Sequence, residues 1–127
     1  MENHKTRKIL VVDDDQKFVF SVAKYLIGHG YHLLTAYDAV YGMKHACNEE
    51  IALIILDLGL PGGGGFAMLE NLRKLPKTIC IPIIISTANI SGGVEEKVRE
   101  MGANDFIVKP YDLEKLLAMI KTILPEK

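Results

Sequence analysis

Cysteine is scarce in this chain of 127 residues, and the two present, Cys47 and Cys80, stand far apart with no CxxC spacing. That argues against a disulfide framework and a thiolate zinc site, and leaves both side chains as small hydrophobes expected in the core. Histidine adds no metal motif, because His4, His29, His32 and His45 lack ligand spacing and Gly30 separates the middle two. No stretch resembles a signal peptide or a spanning segment, so a cytoplasmic, reducing setting is inferred. An excess of either charge is missing too: charged residues are 24%, aromatics 7%, and the formal net charge is −1. Nothing in that balance attracts nucleic acid or an anionic membrane. The short basic stretch at Lys5, Arg7 and Lys8 precedes the first apolar run and reads as a solvated strand entry.

What the chain has is hydrophobic content, 49% of it, enough for one core without staples. A single domain over residues 1–127 is expected, with its core at about 7–124. Short β-branched runs alternate with amphipathic stretches five times, the pattern of βα units around a parallel sheet. The strands are expected at Lys8–Val12, His32–Ala36, Ile51–Leu56, Ile81–Ile85 and Phe106–Val108.

The first helix should bury Phe18, Val19, Val22, Leu26 and Ile27 and stop near Gly28 and Gly30. Asp38 should cap a second that carries Ala39, Val40, Met43 and Ala46 inward, with Gly42 weakening it. After the break Pro61-Gly62-Gly63-Gly64-Gly65, read as a flexible loop, Gly65 opens a third with Phe66, Leu69 and Leu72 inward. Ser91 is a candidate cap for the fourth, through Val94, Val98 and Met101 to Gly102. Asp112 opens the last, with Leu113, Leu116, Leu117, Ile120 and Leu124 inward and Pro125 closing it before Glu126 and Lys127.

Ligands of an open parallel sheet bind outside the carboxyl ends of its strands, so polar residues there come first. Strand one runs into Asp13-Asp14-Asp15, strand three into Asp57, strand four ends at Ser86-Thr87 and strand five at Lys109. Each has a plain reading alone: Asp15 as a helix cap, Thr87 as turn chemistry, Lys109 as a surface lysine. Together they crowd carboxylates that repel one another and raise each other's pKa. Asp13, Asp14 and Asp57 against Lys109 leave two negative charges, which one divalent cation cancels. An all-oxygen set of this kind suits Mg²⁺. With the charge neutralised, an aspartate can attack phosphorus, while Lys109 and the Thr87 hydroxyl bind phosphoryl oxygens.

The stretches Ile9-Leu10-Val11-Val12-Asp13-Asp14-Asp15, Ile55-Leu56-Asp57 with Pro61 and Gly65, Ser86-Thr87-Ala88, and Phe106-Ile107-Val108-Lys109-Pro110-Tyr111 resemble, in this order, the response-regulator receiver family. The resemblance implies an α/β fold, a doubly wound five-stranded parallel sheet of flavodoxin-like order 2-1-3-4-5 with helices on both faces. It implies a phosphoacceptor at Asp57, and Mg²⁺ or Mn²⁺ held by Asp13, Asp14, Asp57 and the main-chain carbonyl of Gly59. Thr87, Lys109 and Phe106 would follow the phosphoryl group as switch residues, and Lys109-Pro110 would be a cis peptide. The implied partners are a histidine kinase or a histidine phosphotransfer protein as donor. Downstream stands a protein target or output domain on the face of the fourth helix, fifth strand and fifth helix, Tyr111 included. No direct nucleic-acid or membrane partner is implied, and a homodimer stays open. Such a chain is a signalling switch that catalyses only its own phosphorylation and dephosphorylation.

The match departs from the family at Gly59, usually a larger residue, and in the glycines after Pro61. Gly59 and Asn89 occupy positions that, in the family, influence water's access to the phosphoryl group, and here they predict an unexceptional hydrolysis rate. The Pro-Gly₄ run lacks the lysine and hydroxyl of a Walker loop, since Phe66 and Ala67 follow. A phosphatase of the haloacid-dehalogenase type fits Asp13-x-Asp15 but expects Thr or Val at Lys17 and a later acidic pair. A receiver-like interaction module without phosphate chemistry would lack an acceptor, hydroxyl or lysine, and a flavodoxin-like cofactor binder would be repelled by three aspartates. No output domain follows the last helix, which fits a stand-alone regulator or a receiver cut from a longer protein.

Overall fold

The computed structural model describes residues 7–125; His4, Lys5, Glu126 and Lys127 lie outside them. In chain order the elements are β1 (Lys8–Val12), α1 (Gln16–Gly28), β2 (His32–Ala36), α2 (Ala39–Asn48), β3 (Leu53–Leu56), a 3-10 turn (Pro61–Gly63), α3 (Gly64–Leu72), β4 (Ile83–Thr87), α4 (Val94–Glu100), β5 (Asp105–Val108) and α5 (Leu113–Ile123). All pairings are parallel, in the order β2-β1-β3-β4-β5. The expected flavodoxin-like order is therefore present.

Strand alternation divides the apolar interior into two layers. Leu10, Val12, Ile54, Leu56, Ile83 and Ile85 point to the side packed by α2, α3 and α4. Ile9, Val11, Leu53, Ile55, Ile84 and Ile107 point to the side packed by α1 and α5. Both faces are covered, which is why these strands read as unbroken apolar runs rather than alternating ones.

Local sequence explains most boundaries. Asp15 and Asp38 cap α1 and α2 by accepting the N–H groups of Phe18 and Tyr41 at 3.1 and 2.9 Å, each contact contributing about 1 kcal/mol. β4 begins two residues later than expected because Pro82 has no N–H to give the ladder, and the Ile81 N–H turns back to Thr78 O. β3 likewise starts at Leu53 rather than Ile51, and β5 one residue early, at Asp105. Ser91 does not cap α4: its N–H and hydroxyl both bond to Asn89 Oδ1, and Gly93 at φ +81° takes the N-cap position.

The glycine run is ordered into a turn, with Gly62 and Gly63 in the left-handed region, and α3 opens at Gly64 rather than Gly65. Several side chains also depart from expectation. Ile27 and Val40 are solvent-facing, Cys80 is exposed and Cys47 only half-buried, while Met68 joins the core instead. Among the described residues no helix is long and apolar enough to cross a membrane.

Candidate functional site

Register builds the site. Val12 pairs with Leu56 and Leu56 with Ile85, so Asp13 and Asp57 leave the sheet from adjacent strands. They do so between β1 and β3, where the strand order reverses and loops diverge to leave a crevice. The Asp57 N–H still bonds to Val12 O at 3.0 Å, and the Lys109 N–H to Thr87 O at 2.9 Å, which extends the sheet by one residue under each functional group.

Asp13, Asp14 and Asp57 each bring one carboxylate oxygen within 4.8 Å of the others. Asp13 and Asp57 are buried and Asp14 is exposed. Lys109 Nζ reaches Asp13 Oδ2 at 2.6 Å and Asp57 Oδ2 at 3.5 Å, so the ammonium stands between the two buried carboxylates. The remaining oxygens are partly satisfied by backbone: the Asp15 N–H donates to Asp13 Oδ1 and the Gly59 N–H to Asp57 Oδ1, both at 2.9 Å. Burial raises the Asp13 carboxyl above its ordinary range; the Lys109 hydrogen bond, the Asp15 N–H and the lysine charge oppose that rise, and nearby Asp57 adds to it. Lys109 alone therefore does not offset the cost of holding Asp13 charged, and the oxygen-only cluster fits a hard divalent cation.

Thr87 is buried at the end of β4 and accepts the Asn89 N–H at 3.2 Å. The Asn89 carboxamide oxygen is held by Ser91. Gly59 lies over the Asp57 carboxylate: a Cβ there would stand 3.4 Å from both carboxylate oxygens. Phe106 is half-buried against the α2–α3–α4 layer, and the Lys109–Pro110 peptide is cis. All the residues singled out at the strand ends thus lie along one edge of the sheet.

One cluster was not foreseen. Ser86 Oγ and the Tyr111 hydroxyl are 2.8 Å apart, Tyr111 meets Phe18 with ring centroids 5.8 Å apart at 88°, and Lys109 Nζ stands 4.4 Å above the Phe18 ring. Tyr111, expected to contribute to the face of α4, β5 and α5, is half-buried and packs against the α1–α5 layer. The signal available beforehand was Ser86 itself, a hydroxyl following three isoleucines in a buried strand.

The family profile described as Response regulator receiver domain matches residues 9–121. The chain belongs to the response regulator receiver domain family. Transcriptional activator protein IrlR of Burkholderia pseudomallei is 38% identical over 117 residues, covering 92% of this chain and 50% of that protein. A CheY-like receiver domain protein from Methanospirillum hungatei superposes with a TM-score of 0.88 at 31% identity, covering 94% of each chain. A response regulator from Burkholderia pseudomallei, solved with a phosphorylated aspartic acid, calcium ion and citrate, superposes with a TM-score of 0.81 at 26% identity over 88% of this chain and 65% of that one. This receiver domain spans about half the length of the curated relatives it matches. The haloacid-dehalogenase alternative is not favoured by this membership.

Proposed function

We propose that this receiver domain accepts a phosphoryl group on Asp57 from a phosphohistidine of a histidine kinase or phosphotransfer protein. The observation that carries the reading is one half-buried ammonium shared by two carboxylates, Lys109 Nζ at 2.6 Å from Asp13 and 3.5 Å from Asp57, with Asp14 beside them. An Asp57 oxygen attacks phosphorus, the bond from phosphorus to the donor imidazole nitrogen breaks, and the electron pair leaves with the imidazole. Mg²⁺ or Mn²⁺, held by Asp13, Asp14, Asp57 and the Gly59 carbonyl, would supply charge that neutralises the carboxylates and the incoming phosphoryl oxygens. Lys109 and the Thr87 hydroxyl bind the oxygens of the transferred group, and a relative crystallised with a phosphorylated aspartate supports the assignment by analogy.

Phosphorylation adds roughly −1.5 to −2 charges to an acidic site, which favours an arrangement in which Lys109 moves from Asp13 towards Asp57 and the Thr87 hydroxyl turns to the phosphoryl oxygens. The shift would be read by a protein target, an output domain or a second copy on the face of α4, β5 and α5, with Phe106 turning inward. A phosphorylation switch of this kind is the reading that family and site support together.

Intact-mass measurement after acetyl phosphate and Mg²⁺ tests it. One phosphoryl mass is expected on the wild type and none on Asp57→Ala; an adduct that survives that substitution defeats the assignment. Because Gly59 offers no side-chain shield and Asn89 is held by Ser91, the adduct should also decay at an ordinary rate. Persistence for many hours in Mg²⁺ would contradict an open site.

A further inference from the structure

The aromatic cluster behind Lys109 is used neither by the core alone nor by the phosphoryl chemistry just described. Lys109 has a long flexible stem, yet its side chain is only 18% exposed, and among the described residues its ammonium is neighboured by Asp13, Asp57 and the face of Phe18 at 4.4 Å. The ammonium already bonds Asp13 at 2.6 Å, and unless something also holds it from the side it is free to swing away from the 3.5 Å it keeps to Asp57, where a group would arrive. An aromatic face attracts the cation without offering an oxygen, so it limits where the ammonium travels and leaves its N–H donors to the carboxylates.

The ring is itself fixed in place. It meets Tyr111 at 88°, the favoured perpendicular geometry, and the Tyr111 hydroxyl is bound to Ser86, 1% exposed, next to Thr87 in β4. Phe18 belongs to α1, Ser86 to β4, and Lys109 and Tyr111 flank Pro110 after β5, so three separate elements meet at this point.

We infer that Phe18 is a positioning residue for Lys109: its ring face holds the ammonium between Asp13 and Asp57, and Tyr111, anchored on Ser86, sets the angle of that ring. The inference rests on the assignment of Asp57 as phosphoacceptor.

A fluorination series at position 18 tests it without changing shape much. Phenylalanine is replaced by its 4-fluoro, 3,5-difluoro and 3,4,5-trifluoro forms, which withdraw charge stepwise from the ring face. Phosphorylation by acetyl phosphate in Mg²⁺ should slow with each step, and Phe18→Leu should be slowest, by roughly two- to thirtyfold, the range of a cation–π attraction. Phe18→Tyr, which keeps the face, should restore most of the rate. A second reading needs neither metal nor turnover: the Lys109 ε-methylene protons of the wild type should show an upfield ring-current shift that Phe18→Leu abolishes.

A flat fluorination series in chains that unfold at the wild-type temperature overturns the inference, as does an unshifted Lys109 resonance. If the wild type takes no phosphoryl group on Asp57, the functional assignment and the inference fall together. A phosphorylated wild type with a flat series sinks the inference alone.

Discussion

The Tyr111 phenol is the side chain at this site whose protonation is simplest to follow, because burial lifts it from 10.0 to about 12, partly offset by the Ser86 hydrogen bond and reinforced by Asp13 and Asp57. Below pH 10 both folded and unfolded chains keep the proton. Between about 10 and 12 the unfolded chain loses it and the folded chain keeps it, so stability falls as pH rises through that window. The loss amounts to roughly 2–3 kcal/mol at about 1.4 kcal/mol per unit. Tyr111→Phe should remove this part of the alkaline slope, as measured by denaturant unfolding at about pH 9.5 and 11.5. An unchanged slope would mean that the phenol titrates normally. At neutral pH the same variant strands the buried Ser86 hydroxyl, a cost of about 1–3 kcal/mol, and adding Ser86→Ala should recover part of it.

Helices approach their neighbours closely at two glycines whose surroundings differ in softness. A Cβ on Gly42 in α2 would meet Met68 Cε at 2.9 Å, the far end of a flexible side chain on α3, and would stand 3.1 Å from Val12 Cγ1 on β1. A Cβ on Gly65 in α3 would lie 2.5 Å from Asp57 O and Leu58 Cα, which are backbone. Gly42→Ala should therefore cost little, its clash offset by about 1 kcal/mol of helix propensity, whereas Gly65→Ala should lose roughly 1–3 kcal/mol or more. Urea unfolding of the two variants measures the contrast, and equal losses would refute it. Gly42 also illustrates what sequence could and could not say. The glycine reads as a weakness in α2, and only the approach of Met68 from another element explains it. The strand order came from the resemblance to the receiver family, whereas strand identities and the acidic end of β1 were legible because apolar runs and the polar residues that end them are local signals. The exposure of Ile27 and Val40 was not, because one position around a helix decides it. The Ser86–Tyr111–Phe18 cluster was not either, because its members lie far apart in the chain and meet only through the strand order.

At the scale of the whole molecule, a fully parallel sheet covered on both faces gathers its charged side chains at one rim, and the rim opposes folding until something neutralises it. Asp13, Asp14 and Asp57 place oxygens within 4.8 Å of one another, and Asp13 stays raised despite Lys109. A divalent cation that binds this cluster in the folded chain and not in the unfolded one must stabilise the whole domain. At a hundred times its dissociation constant it contributes about 2.7 kcal/mol. For a domain of this size that is a rise in Tm on the order of 10 °C. Mg²⁺ should produce it and EDTA reverse it, while NaCl at matched ionic strength should not reproduce it, because screening over about 10 Å weakens charges without coordinating the partly buried oxygens of Asp13, Asp14 and Asp57. Asp57→Asn should abolish most of the Mg²⁺ effect. A rise of equal size in Asp13→Asn, Asp14→Asn and Asp57→Asn would place the cation elsewhere on the domain.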